Sequence, residues 1–363
     1  MTSDAVHESL GVRWDGGAGA DASSDAVRLP RNYGDPAAEY DAACSDVAVV
    51  DRRDRRFLRV HGRDPVRMVQ GLITNDIANA AADRAVYAAV LTAKGKMVAD
   101  LRVLRRGAEL LLETDRRAID PLTAHLRKFV PPLFARFESA DDAWSELSVL
   151  GPRARALLDD VLGIDLPQTT SEGTAVDATL DGAPIVVITS SHVDVEGFDL
   201  LVPASAVDSA WARLVEAGAR PVGHATFDVL RIEAGRPRWG AELGDSTIPL
   251  EAGLRERAIS ESKGCYTGQE VIVRILHRGH VNWLLRGVLL GDAAAPAYDA
   301  PLVNAAGRQV GRITSAAWSP KHGQSIGLAY VRREVEPPAT LQLGDTTGPA
   351  VSVVTLPFAG TRA

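Results

Sequence analysis

The densest chemistry in the sequence lies in Lys263-Gly264-Cys265-Tyr266-Thr267-Gly268-Gln269-Glu270, where two glycines, a thiol and several polar side chains share eight residues. Thr267 and Glu270 stand three apart, ahead of the apolar residues Val271, Ile272, Val273, Ile275 and Leu276. This is the Ser/Thr-x-x-Glu pattern of a capping box, and it predicts a helix opening at Thr267 with Cys265 just before it. Unpaired N–H groups and the helix dipole favour anions there, and with Lys263 nearby they would draw the thiol toward thiolate. Gly264 and Gly268 would let a ligand come close to backbone. The plain alternative is a capped helix preceded by a small, buried cysteine. Cys265 and Lys263 are thus the candidate catalytic pair, with Gly264, Tyr266, Thr267, Gly268, Gln269 and Glu270 as their frame.

A nucleophilic cysteine needs a base within hydrogen-bond reach, and His277 and His280 are the histidines that follow it. On a regular helix His277 would lie roughly 15 Å up the axis, too far for that pairing. Cys265, His277 and His280 would also lack a fourth nearby ligand for zinc, so no metal is expected. Lysine is otherwise rare: Lys94, Lys96, Lys128, Lys263 and Lys321 stand in a chain whose other basic residues are Arg, and three of them fall in the Lys94-Gly95-Lys96 turn and the cysteine motif. Lysine offers a compact, titratable point charge that arginine does not.

The 363 residues are 46% apolar and carry a formal net charge of -7, enough for two or three cored domains and wrong in sign for wrapping nucleic-acid backbone non-specifically. Cys44 and Cys265 are far apart, so neither a disulfide framework nor a Cys-x-x-Cys metal pair is expected, which fits the cytoplasm. Residues 1–27 scatter acidic side chains among Gly, Ala and Ser and read as a disordered tail rather than a signal peptide. No apolar run reaches the length of a membrane span.

Around these residues the periodicity places strands at 47–50 and 56–60, then a helix opened by Asp64-Pro65. Strands at 85–91 and 97–104 flank the Gly95 turn, and a helix runs from a cap at Asp115 through Ile119, Leu122, Leu126 and Phe129 to Pro131-Pro132. A second unit begins near Trp144, where strand, Gly151-Pro152 and helix repeat the earlier strand, Asp-Pro, helix order, a sign of duplication. Strands at 185–188 and 198–202 and a helix at 206–215 follow. The segment Phe227 to Gly235 is helical by period, with Phe227, Leu230 and Ala234 on one face and Arg231 and Glu233 off it. From Gly279 onward, short strands broken by Gly, Pro and Asn predict a small antiparallel barrel.

The octapeptide resembles the Lys-Gly-Cys-(Tyr/Phe)-x-Gly-Gln-Glu signature of the YgfZ-type folate-binding proteins, relatives of the aminomethyltransferase (T-protein) of the glycine cleavage system. Leu230-Arg231-Ile232-Glu233-Ala234-Gly235 resembles the Leu-Arg-x-Glu-Ala-Gly helix of both families, and Gly95 to Asp100 is similar to the turn on which aminomethyltransferases carry Gly-Gly-x-x-Asp-Asp. The resemblance covers residues 30–358. It implies an α+β fold: duplicated mixed α/β folate-binding lobes (28–143 plus 222–278, and 144–221) and a C-terminal antiparallel β-barrel (279–363). It also implies reduced folate, tetrahydrofolate or a derivative, as ligand, with Arg231 and Asp100 lining its site.

Two positions depart from the transferase pattern. Ala99 replaces one carboxylate of the acidic pair, and Ser191 to Gly197 lacks the aromatic and acidic residues of Gly-Tyr-Thr-Gly-Glu-Asp-Gly. With the cysteine motif, these departures lead to the expectation of a tetrahydrofolate-binding accessory protein supporting iron–sulfur cluster assembly or repair, with iron–sulfur client enzymes or assembly proteins as partners. Turnover stays open on this reading. The alternatives are an aminomethyltransferase acting on a lipoyl carrier protein and a cysteine-nucleophile enzyme.

Overall fold

The computed structural model describes residues 2–15, 27–168 and 171–358. Strands Ala85–Leu91 and Met97–Arg106 pair around the Gly95 turn, as their composition requires. Glu109–Asp115, Arg55–Gly62 and Ala135–Ser139 extend them into a five-stranded antiparallel sheet. Helix Pro65–Gln70 starts as expected, Asp64 accepting the Arg67 N–H with Pro65 at the first turn. Helix Ile119–Phe129 buries Leu122 and Leu126, but its cap is Ala118, and Asp115 instead accepts the Arg117 N–H.

The second sheet has six strands in the order Ala175–Leu180, Ala183–Ser190, Gly197–Pro203, Trp144–Leu150, Ala48–Asp51 and Arg220–Pro221. Ala48–Asp51, which falls in the 28–143 segment of the first expected lobe, pairs into this second sheet, whereas Arg220–Pro221 falls within the expected 144–221. Ala48–Asp51 lies inside the sheet, antiparallel to Trp144–Leu150 and parallel to Arg220–Pro221. All four of its residues are buried, as a strand covered on both faces demands. The two sheets share an apolar seam in which Phe57, Leu104 and Leu111 meet Val186, Ile188 and Leu201.

The C-terminal strands close into an antiparallel six-stranded barrel, Trp283–Gly291, Gln324–Arg332, Gln309–Ser319, Pro301–Val303, Ala339–Leu343 and Ala350–Val354. Its interior holds Val288, Leu302, Ile313, Val331 and Val353. The expected disordered tail is ordered over part of its length. Asp4–Ser9 is helical, and His7 is fully buried between Asp51 and the Tyr33 hydroxyl. Residues 16–26 of that stretch lie outside the described residues. Among the described residues, no helix is long and apolar enough to cross a membrane.

Candidate functional site

A cavity of about 540 Å³ takes its walls from both sheets, from helix His224–Glu233 and from Arg236 to Trp239. That volume is within the usual range for small-molecule sites, ~300–1,000 Å³. Its lining is strongly charged, with Arg52, Arg55, Arg102, Arg236 and Arg257 set against Asp54, Asp100, Glu113 and Glu172. An anionic ligand with polar edges matches such a surface better than a hydrocarbon does.

Strand alternation decides which acidic position reaches the cavity. Ala99 is fully buried in the core of the first sheet, whereas Asp100, on the opposite face, lines the cavity. Asp100 Oδ2 accepts the Tyr87 hydroxyl at 3.0 Å, and Oδ1 is buried with no hydrogen-bond partner. Burial, reinforced by the charge of Asp115, raises the Asp100 pKa against the pull of Arg55 and of the Tyr87 hydrogen bond. The result is a carboxyl group with one oxygen fixed and the other available to a donor, poised to hold or exchange a proton.

Behind it, Arg102 bridges the two sheets. Its guanidinium donates to Glu113 at 2.5 Å in the first sheet, and to Asp199 at 2.6 Å and Glu146 at 2.9 Å in the second. Arg55 takes the other oxygen of Glu113. Burial and the neighbouring Glu113 charge push Glu146 up to about 8, and its Oε1 has no hydrogen bond. Asp199 goes the other way: burial would raise it, but Arg102 and His192 hold it well below the usual carboxylate range. Glu146, His192 and Asp199 come within 4.8 Å of one another. Both carboxylates are already paired with Arg102, whose charge opposes a cation there, so the trio reads as part of the ion-pair network.

Arg231 lines the cavity, yet its Nε and both terminal nitrogens are engaged. It donates to Asp228 at 2.7 Å, Glu242 at 2.8 Å, the Arg236 carbonyl at 3.3 Å and Ser315 Oγ at 2.5 Å. It ties the helix to the barrel. The arginine with spare donors is Arg236. Its Nε is buried without a hydrogen-bond partner, and a terminal nitrogen donates at 3.4 Å to Ser191 Oγ. Burial, then the nearby Arg257 charge, lowers its pKa, the signature of a cation short of an anion. Arg257 pairs with Glu172 and lies 4.9 Å over the Tyr87 ring. Against the upward push of burial, Arg257 draws Glu172 down to about 2.

The octapeptide stands elsewhere: neither Cys265 nor Lys263 lines the cavity. The expected capping box does not form. The helix runs Gln269–Arg278 with Gly268 as its cap at φ +84, and no side chain caps it. A Cβ on Gly268 would sit 2.6 Å from the Thr92 carbonyl oxygen, so close approach to the 92–96 turn, which only glycine permits, moves the helix start past Thr267. The Thr267 N–H bonds the Gly71 carbonyl instead. Tyr266 is buried in the core, Cys265 is exposed, and Lys263 turns away from the thiol, its ammonium held by three backbone carbonyls. Burial pushes Lys263 down to about 8, with Asp76 pulling the other way.

Of the residues picked out in the sequence, Asp100 and Arg231 line the cavity; Tyr87, Arg236, Arg257 and the Arg102 network were not among them. A signal for the network existed: Arg102, Glu113, Glu146 and Asp199 each interrupt an apolar strand.

The GCVT N-terminal domain family matches residues 19–263, and the glycine cleavage T-protein C-terminal barrel domain matches 285–358. An aminomethyltransferase of Rubrobacter xylanophilus is 30% identical over 355 residues, 97% of this chain and 92% of the relative. One from Saccharopolyspora erythraea is 28% identical over 361 residues, 97% and 96% of the two chains. The crystal structure of the glycine cleavage system aminomethyltransferase T of Bartonella henselae superposes with a TM-score of 0.84 at 20% identity, covering 98% of this chain and 96% of that one, a likeness of fold. These relatives overturn the expectation of an accessory protein for iron–sulfur clusters: full-length likeness runs to aminomethyltransferases, and the thiol motif that suggested otherwise lies off the cavity. Iron–sulfur partners fall with it. By both domain matches and by its full-length relatives, the chain belongs to the glycine cleavage T-protein (GCVT) family.

Proposed function

We propose that the chain is an aminomethyltransferase that binds tetrahydrofolate in the central cavity and passes it a one-carbon unit from a lipoyl carrier protein. The observation that carries this reading is Asp100, a cavity-facing carboxyl with an unpaired, buried Oδ1 and a raised pKa. The carboxylate lost relative to the family pattern is at Ala99, which in this chain faces the core and not the cavity. Tetrahydrofolate supplies amine nitrogens that accept the one-carbon unit. Asp100 holds their N–H through Oδ1 and manages the proton, work that contributes ~10²- to 10⁴-fold in rate. Arg236 offers unpaired donors to the anionic end of the ligand. Free Cys44 and Cys265 fit a reducing compartment such as the cytoplasm.

The test is multiple turnover with an aminomethylated lipoyl carrier and tetrahydrofolate, following release of ammonia. Methylenetetrahydrofolate formation that depends on Asp100 is expected. Tetrahydrofolate binding without turnover would remove the transferase reading, and absence of binding would remove the folate reading as well.

A further inference from the structure

Lys263 has so far no part in the site, yet its bonds lead there. Its side chain is 8% exposed, and Nζ donates to the carbonyls of Gln70 at 2.7 Å, Ile73 at 2.7 Å and Asn75 at 2.9 Å. Three carbonyls of one tight loop converge on one ammonium. A tetrahedral ammonium presents three donors to such a tripod, whereas the planar fork of arginine does not.

The loop so gathered is stitched to both sides of the Asp100 wall. The Asn75 amide donates to the Tyr87 carbonyl at 2.9 Å and the Arg257 carbonyl at 3.1 Å. Thr74 Oγ1 accepts the Ala89 N–H at 2.9 Å and donates to the Ala258 carbonyl at 2.5 Å. Tyr87 and Arg257 are the residues that build the carboxyl's surroundings: Tyr87 donates to Asp100 Oδ2 at 3.0 Å, and Arg257 lies 4.9 Å over its ring, paired with Glu172.

We propose that Lys263 is a positioning residue for Asp100: through the 70–75 loop and the Asn75 amide it fixes the backbone of Tyr87 and Arg257, and so keeps the Tyr87 hydroxyl on Oδ2 and Oδ1 free for a ligand. The lysine of the thiol motif thus serves the cavity from a distance while the thiol itself does not. The inference rests on the folate reading for its effect on binding, and on geometry alone for its effect on Asp100.

The experiment is a ¹³C-carboxyl NMR titration of ligand-free protein labelled at aspartate, with the Asp100 resonance assigned by Asp100→Asn. Loss of a hydrogen bond to the ionised form raises the midpoint, so Tyr87→Phe moves it upward, while the charges that act on the carboxyl, Arg55, Asp115, Arg117 and Arg257, are kept. Asn75→Ala and Lys263→Met raise it in the same direction, and by less in the Tyr87→Phe background than in the wild type. Lys263→Arg does not restore it. Each also weakens tetrahydrofolate binding about tenfold in protein whose far-UV circular dichroism is unchanged, the loss expected for one charge-assisted hydrogen bond. An Asp100 midpoint unmoved by Asn75→Ala and Lys263→Met, with only the melting temperature lowered, would reduce Lys263 to a structural clip. Should Lys263→Met fail to fold, Asn75→Ala decides alone, since it leaves the carbonyls on Lys263 intact. If the wild type binds no tetrahydrofolate, the folate reading is lost while the midpoints still settle this one.

Discussion

The Tyr87 hydroxyl holds Oδ2 of Asp100 at 3.0 Å while Oδ1 stays buried and unpaired. A carboxyl kept in that condition serves a ligand at the expense of the empty protein. Its pKa is raised above the unfolded value, mainly by burial, so its contribution to stability is fully present below the unfolded pKa and is lost as pH rises through the folded one. Asp100→Asn should therefore raise the melting temperature at neutral pH, with the gain vanishing in acid. The same substitution should lower transfer ~10²- to 10⁴-fold. Scanning calorimetry across pH and single-turnover rates check the two halves, and a variant less stable at neutral pH would contradict the first.

Glu146 gives a second pH signature. It is raised to about 8 by burial and by Glu113, so its contribution is intact below the unfolded pKa, ~4.3, and gone once pH has risen through the folded value. Glu146→Gln keeps an acceptor for Arg102 and gives up the 3.7 Å ion pair of Oε1 with Arg52. Its stability relative to wild type should grow between about pH 4.5 and 8 and level off above, on the order of a few kcal/mol. Urea midpoints at acid, neutral and alkaline pH measure this, and a pH-independent difference would show that Glu146 remains charged throughout.

How much of this was legible follows from the range of each interaction. The Ala85–Leu91 and Met97–Arg106 hairpin, the Asp64-Pro65 helix start and the barrel strands are local patterns, and the sequence carried them. The capping box at Thr267 failed because a tertiary contact, Gly268 against the Thr92 carbonyl, overrode a local signal. The place of Ala48–Asp51 in the second sheet was not legible because its partner Trp144–Leu150 is remote in sequence. Asp100 came from the family resemblance; strand alternation sets it opposite Ala99, but which face meets the cavity depends on the second sheet. Arg231 and Arg236 were not separable, because which guanidinium is already occupied depends on Glu242 and Ser315, neither of them a local neighbour.

Cys265 is exposed and Cys44 half-buried, with burial raising the Cys44 thiol above its ordinary range. Each unit of pKa is a tenfold loss of thiolate, and access adds to it. Alkylation of folded protein near neutral pH should label Cys265 at least about tenfold faster than Cys44. Because the thiol lies off the cavity, Cys265→Ser should leave tetrahydrofolate affinity and transfer unchanged. Mass spectrometry of timed labelling and a binding titration test both, and loss of transfer in that variant would return the thiol to the mechanism.

The two cavity arginines should separate cleanly. Arg231 satisfies buried Glu242 and reaches the barrel through Ser315, so Arg231→Ala leaves an uncompensated charge and should cost about 3–5 kcal/mol of stability with or without ligand. Arg236 has no acidic hydrogen-bond partner among the described contacts, and burial, then the Arg257 charge, lowers its pKa. Arg236→Ala relieves that repulsion and should leave stability within about 0.5 kcal/mol of wild type or above it. Its cost appears on binding. A charge-assisted hydrogen bond to the ligand's carboxylate nets ~1.5–3 kcal/mol, so affinity for tetrahydrofolate should fall at least about tenfold. Tetrahydropteroate, which lacks the glutamate, should bind wild type and Arg236→Ala alike. Isothermal titration with both ligands and urea unfolding of both variants make the comparison. Equal losses on the two ligands would take Arg236 off the anionic end, and a stable Arg231→Ala protein would mean that the Asp228, Glu242 and Ser315 network is not what holds the helix to the barrel.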